Sequence, residues 1–145
     1  MKRKIITTGD GSKTIQIEDW NEQYHSKHGA INEANYVFIK SGLLHFFKLY
    51  PKQTNISILE IGFGTGLNAF LTSIEAERLK QPVNYVGVEA YPVADTEISQ
   101  LNDVQEIDEN RSDLFKILHE TKWETKNALN SYFQLTKRQQ FFSDI

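Results

Sequence analysis

The stretch Ile58-Leu59-Glu60-Ile61-Gly62-Phe63-Gly64-Thr65-Gly66-Leu67-Asn68 decides the fold. A strand rich in apolar residues runs into three glycines separated by single residues, and an amphipathic helix begins at Leu67. Glycine at such a bend adopts positive φ and lets the backbone approach a ligand closely. The first turn of the following helix presents unpaired N–H groups to a polar or anionic partner. The expectation is a nucleotide-cradling loop between a strand and a helix.

Spacing separates the two cofactor classes that use such a loop. A dinucleotide fingerprint, G-x-G-x-x-G, needs a small residue at position 67, where Leu67 stands. The spacing here is G-x-G-x-G with Glu60 two residues ahead, the pattern of S-adenosylmethionine (SAM) methyltransferases, which use the loop for the amino-acid end of the cofactor. A second acidic residue should close the next strand. Val83-Asn84-Tyr85-Val86-Gly87-Val88-Glu89 reads as that strand, with Glu89 placed to accept hydrogen bonds from both ribose hydroxyls. A glycine-rich turn without a ligand would explain the loop alone; loop, helix and acidic strand end in this order favour the cofactor.

At 145 residues, with 39% hydrophobic and 24% charged, the chain is expected to form one domain of an ordinary globular kind. The absence of cysteine excludes disulfides, thiolate metal sites and a Cys nucleophile, and fits a reducing compartment. No metal site is expected. No apolar run approaches the roughly 20 residues that span a bilayer, and the start is too short for a signal peptide's hydrophobic region, so a cytoplasmic location is expected. Residues 1–54 hold eight Lys/Arg against five Asp/Glu, a net +3, and residues 55–145 hold eight against fourteen, a net −6. A nucleic-acid partner would meet the N-terminal part, although a mixed solvated surface explains so modest an excess equally well.

Lys4–Thr8 and Ser12–Ile17 flank Gly9-Asp10-Gly11 and read as a β-hairpin with Ile5, Ile15 and Ile17 available for burial. The segment from Trp20 to Ala30 has no period and reads as a lid or a connector. From Ala30 to Tyr50 the apolar positions Tyr36, Ile39, Leu43, Phe46, Phe47 and Tyr50 recur at helical spacing, predicting one core helix or two, with a bend at Gly42 and a stop at Pro51. After the glycine loop, Leu67, Phe70, Leu71, Ile74 and Leu79 form the inner face of a helix, and strand, helix and the Val83–Glu89 strand make a βαβ unit with a parallel sheet. Beyond Pro92 the pattern predicts a helix near Ala94–Leu101, an acidic linker at Asp103–Glu109, a helix near Ser112–His119 with Leu114, Ile117 and Leu118 on one side, and a strand at Ser131–Lys137.

Taken together, Tyr24-His25-Ser26, Gly29-Ala30, Glu33, Tyr36-Val37-Phe38-Ile39, the Glu60–Asn68 loop, and Glu89 with Pro92 resemble the MnmD-type tRNA methyltransferases. The same module forms the methyltransferase half of bifunctional MnmC proteins. The resemblance runs from about Asp10 to the C-terminus. It implies an α/β fold of the truncated Rossmann-like SAM-dependent methyltransferase kind, a parallel sheet with flanking helices and a small N-terminal β-hairpin. Residues 1–145 would be a single, incomplete methyltransferase domain, in which 1–54 supply hairpin, lid loop and helix and 55–145 the SAM-binding βαβ core.

The activity implied is methyl transfer from SAM to the aminomethyl group of a 5-aminomethyl-2-thiouridine at the tRNA wobble position. Carried over, Glu60, Gly62, Phe63, Gly64, Thr65, Gly66 and Asn68 line the methionine end, Glu89 holds the ribose, and Ala90 beside it also binds the cofactor. Tyr24, Ser26 and Glu33 close over the site, and Asp144 of Ser143-Asp144 matches the Gly-Asp carboxylate that meets the adenine amino group. Two family motifs are not found in this sequence, an Asp-x-Phe strand end and a Pro-Glu-x-Trp. The resemblance therefore places the catalytic acidic residue beyond Ile145, with Glu33 and His25 the lid candidates for a base and a hydrogen-bonded role expected for each.

An inactive chain, weak in SAM binding and self-associating through an unpaired edge at Ser57–Ile61, is the resulting expectation, with an oxidase domain or protein of the same tRNA modification pathway as a further partner. Competing readings are a SAM methyltransferase for another acceptor, a non-catalytic nucleotide-binding or assembly module, and a nicotinamide-dependent dehydrogenase.

Overall fold

A computed structural model describes residues 1–145 and places them in two sheets. Strands β1 (Arg3–Thr7) and β2 (Lys13–Ile17) form the expected hairpin, with Arg3 opposite Ile17 and Thr7 opposite Lys13. Ile15 and Ile17 are buried beneath it. A two-residue strand β3 (Glu22–Gln23) adds to β2, inside the segment whose sequence shows no period.

The main sheet contains β4 (Ile56–Ile61), β5 (Val83–Glu89), β6 (Lys126–Asn130) and β7 (Phe133–Gln139) in the order β4-β5-β7-β6. β5 pairs in parallel with β4 and β7, so the βαβ expectation holds across the three strands that run through the core. The sheet is mixed rather than wholly parallel, because β6 turns straight back onto β7 in antiparallel fashion. Its sequence, Lys-Asn-Ala-Leu-Asn, buries only Leu129, which leaves no alternation to read.

Helix α1 (Ala30–Glu33) leads into an eleven-residue π-helix, Ala34–Leu44, and then α2 (His45–Leu49). This wider winding corrects the expected core face. Ala34, Ile39 and Leu43 are buried, at spacings of five and four, while Tyr36, Phe46 and Tyr50 point outward. Helix α3 (Leu67–Leu79) buries Leu67, Phe70 and Leu71 as expected, joined by Ala69, Thr72, Ser73 and Ala76; Leu79, at its C-terminal end, is exposed.

Past β5 the expected helix at 94–101 shrinks to one turn, α4 (Asp95–Ile98). The acidic stretch expected as a linker is helical instead, α5 (Asp103–Ile107) followed by a 3₁₀ turn at Glu109–Arg111, because Val104 and Leu101 anchor it to the interior. In α6 (Ser112–Glu120), Leu114 and Leu118 face inward and Ile117 faces out. One apolar core joins these helices to the sheet, with Tyr85 packed at a tilt between Phe38 and Phe133 at ring distances of 6.3 and 5.5 Å. No helix is long and apolar enough to cross a membrane.

Candidate cofactor-binding site

The C-terminal ends of β4 and β5 deliver Glu60 and Glu89 to one cleft of about 660 Å³. Between them the loop Gly62–Gly66 turns into α3, with φ of 85° at Gly62, 55° at Gly64 and 76° at Gly66. A Cβ on Gly64 would lie 2.9 Å from Cδ2 of Tyr24, so this position is closed to a side chain by both its backbone angle and its neighbour. The N-terminus of α3 carries no side-chain cap, leaving its first turn open to an acceptor. Phe63, also in the lining, turns its ring inward, edge-on to Trp123 at 6.3 Å and against Gly87, and so anchors the loop.

Both carboxylates are held. Glu60 accepts from Asn68 Nδ2 at 2.8 Å and from the Tyr85 hydroxyl at 2.7 Å. Burial pushes its carboxyl up to about 7, the neighbouring Glu89 charge adds to the shift, and the two hydrogen bonds oppose it. Glu89 accepts from the backbone N–H of Gly64 through Oε2 and of Tyr91 through Oε1, each at 2.9 Å. One strand end is thus tied to the loop grown from the other.

The N-terminal segment forms the opposite wall, with Trp20, Tyr24, His25, Glu33 and Val37 in the lining. Its position is set by the β1–β2 turn, which supplies the polar acceptors for the first turn of α1. Ala30 N–H donates to Thr8 Oγ1 at 3.1 Å, Ile31 N–H to Ser12 Oγ at 3.4 Å and Asn32 N–H to Asp10 Oδ2 at 2.9 Å. Glu33, at the end of that turn, accepts from Ser26 N–H at 2.6 Å. His25 Nε2 lies 3.4 Å from Thr65 Oγ1, and burial lowers the pKa of the ring.

Glu60, Gly62, Phe63, Gly64, Asn68, Glu89, Tyr24 and Glu33 therefore meet at one cleft. Thr65 and Gly66 lie behind it, Ser26 braces Glu33, and Ala90 borders an adjoining depression with Arg3, Tyr91, Pro92 and Glu97. Asp144 stands apart on an exposed 3₁₀ turn, Phe142–Asp144, outside the cleft lining. Arg3 and Tyr91 have no local sign of a place at the site and reach it only through tertiary pairing; Tyr85 was legible as a strand residue but not as the donor to Glu60. No group of three or more ligating side chains is arranged to hold a metal.

Comparison with known proteins finds similar chains over most of this length. The bifunctional protein MnmC of Hydrogenovibrio crunogenus, named for tRNA 5-methylaminomethyl-2-thiouridine biosynthesis, is 29% identical over 144 residues, spanning 93% of this chain. The protein of the same name from Leptospira interrogans is 31% identical over 98 residues, or 66% of the chain. The crystal structure of MnmC2 from Aquifex aeolicus superposes with a TM-score of 0.71 and 26% identity over 96% of the chain. The chain is similar to the MnmC proteins over most of its length. It spans 21% and 15% of the length of those two bifunctional proteins and 43% of the Aquifex chain. No protein-family model matches.

Proposed function

We propose that this chain carries the SAM-binding part of an MnmC-type methyltransferase module, whose reaction is N-methylation of the aminomethyl group of a 5-aminomethyl-2-thiouridine at the tRNA wobble position. The observation that carries the reading is the pairing of Glu60 and Glu89 at adjacent parallel strand ends around a glycine loop whose backbone donates to Glu89. The donor set suits the cofactor. Glu60, Asn68 and the open turn of α3 offer polar groups to an amino-acid end, and Glu89 retains lone pairs for two sugar hydroxyls. Tyr24, over Gly64, and Ala90 with Tyr91 form apolar surfaces beside the sugar position.

When bound, SAM supplies an electrophilic methyl group that an uncharged amine can accept. An alkylamine is largely protonated near neutrality, so the module must align the amine and relieve it of a proton. Of the cleft carboxylates, Glu60 and Glu89 each accept two hydrogen bonds and Glu33 is tied to Ser26 N–H, which gives all three a holding role. Trp20 and Tyr24 line the N-terminal wall of the cleft. We place the acceptor tRNA against the more basic residues 1–54 and the module in the cytoplasm.

Calorimetric titration of the chain with SAM and with S-adenosylhomocysteine tests the cofactor, and methyl incorporation into tRNA lacking the methylaminomethyl group tests the substrate. Saturable binding that is lost in Glu89→Ala supports the reading. Wild-type binding of NAD but not of SAM overturns it. A second reading, a non-catalytic assembly module, is favoured by the position of β4 at the sheet edge, where Leu59 and Ile61 are exposed; association without binding of either SAM compound would select it.

A further inference from the structure

The cleft as described leaves one buried cation unexplained. Arg3, on the first strand of the small sheet, has a side chain only 11% exposed. Its Nη2 donates to the Tyr91 carbonyl at 2.6 Å, and its Nη1 donates to the Pro92 carbonyl and to Glu97 Oε2, each at 3.3 Å. Its guanidinium carbon lies 5.7 Å from the centre of the Tyr24 ring. A surface ion pair with Glu97 would need neither the carbonyls nor the ring.

These contacts close a circle around Glu89. Tyr24 lies against Gly64, whose N–H donates to Glu89 Oε2, and Tyr91 donates its own N–H to Glu89 Oε1. The two hydrogen bonds that orient the carboxylate are therefore made by Tyr91, which Arg3 touches directly, and by Gly64, which it reaches through Tyr24. Glu97 Oε2 also accepts from Ala94 N–H at 2.9 Å, so the same pair fixes the start of α4. A planar fork of donors serves two carbonyls, a carboxylate and an aromatic face at once; a lysine ammonium is a single point charge on a flexible stem.

We infer that Arg3 is a positioning residue, which sets the orientation of Glu89 and of the Ala90–Pro92 wall from the N-terminal sheet. Its effect on ligand affinity rests on the cofactor reading above; its effect on the unliganded loop does not. The test uses the 145-residue chain with Arg3→Gln and Arg3→Lys, and with Lys4→Gln as control, since Lys4 is exposed and pairs only with Glu18 at 3.6 Å. In amide hydrogen exchange without ligand, Gly64 and Tyr91 should lose protection by roughly tenfold in both Arg3 variants while the β5–β7 ladder keeps its own. By calorimetry the Kd for S-adenosylhomocysteine should rise roughly tenfold in both, and stay at the wild-type value in the control.

Unchanged protection at Gly64 and Tyr91 overturns the inference, as does a loss spread evenly through β5 and β7, which marks general destabilisation. Restoration of both readouts by Arg3→Lys would also overturn it, because the fork would then be dispensable. If the wild-type chain takes up no S-adenosylhomocysteine, the cofactor reading fails by itself and the exchange measurement still decides the part played by Arg3.

Discussion

Glu60 is 8% exposed and titrates near 7 in the fold, far above an ordinary glutamate. A carboxyl whose folded pKa is raised favours folding most when protonated. Its contribution is complete below about pH 4.5 and is lost as pH rises through about 7. Glu60→Gln mimics the protonated form, so in urea unfolding it should match wild type near pH 5 and exceed it by about 1–3 kcal/mol near pH 8. A gap that does not grow with pH would show that Asn68 and Tyr85 compensate the buried charge fully. Asp103, buried with both carboxylate oxygens unpartnered and pushed to about 7 by burial and by Asp10, slopes in the same direction, so the comparison needs the single variant and wild type in parallel. Gly87 governs the loop by what it lacks. A Cβ there would lie 2.2 Å from Cδ2 of Phe63, so Gly87→Ala should cost about 1–3 kcal/mol by overpacking and displace the ring that anchors Gly62–Gly66. Unaltered thermal stability in that variant would contradict the packing described.

At the scale of elements, the β1–β2 turn does more than reverse the chain: its Thr8, Asp10 and Ser12 side chains receive the first N–H groups of α1. Asp10 also accepts from Ser12 N–H and from the hydroxyls of Thr8 and Ser12, bonds that outweigh desolvation and hold its carboxyl at about 2. Asp10→Ala should therefore cost about 1–2 kcal/mol, as loss of a helix cap does, and speed exchange at Asn32 and Ser26. Because the folded pKa is depressed, the carboxylate's contribution is present above about pH 4 and fades only as pH falls toward 2. This element was half legible. Gly9-Asp10-Gly11 announced a turn, but its role as a cap for a helix twenty residues on is a tertiary fact without local signature. The π-helix misled in part: apolar residues crowd Ala34–Leu49 so densely that a 3.6-residue template finds a face among them, and while Ile39 and Leu43 of that face are buried as expected, the actual winding turns Tyr36 out. By contrast β5 and the start of α3 fall where the glycine loop and the Glu89 strand end placed them, since positive-φ glycines and a β-branched run are strong local determinants.

Across the whole molecule, β4 lies at one edge of the main sheet with Ser57, Leu59 and Ile61 exposed along it. An uncovered strand edge is a template for pairing with another chain. Sedimentation velocity should show concentration-dependent association of the wild-type chain, and Ser57→Lys, placed outside the cleft lining, should shift it to monomer; a monodisperse wild type would remove the basis for this expectation. The cleft itself was legible because its acidic and glycine members lie on neighbouring elements. The residues that knit it to the N-terminal sheet, Arg3 above all, were not, because nothing in a strand's sequence reveals which distant carbonyls its side chain will meet. The two tryptophans have unequal surroundings. Trp20 is 61% exposed at the cleft mouth, whereas Trp123 rests on the Lys137 ammonium at 5.1 Å and touches the Phe63 edge beneath the glycine loop. Iodide should darken the first and spare much of the second, so the chain carries two native optical reporters, one for the entrance and one for the floor.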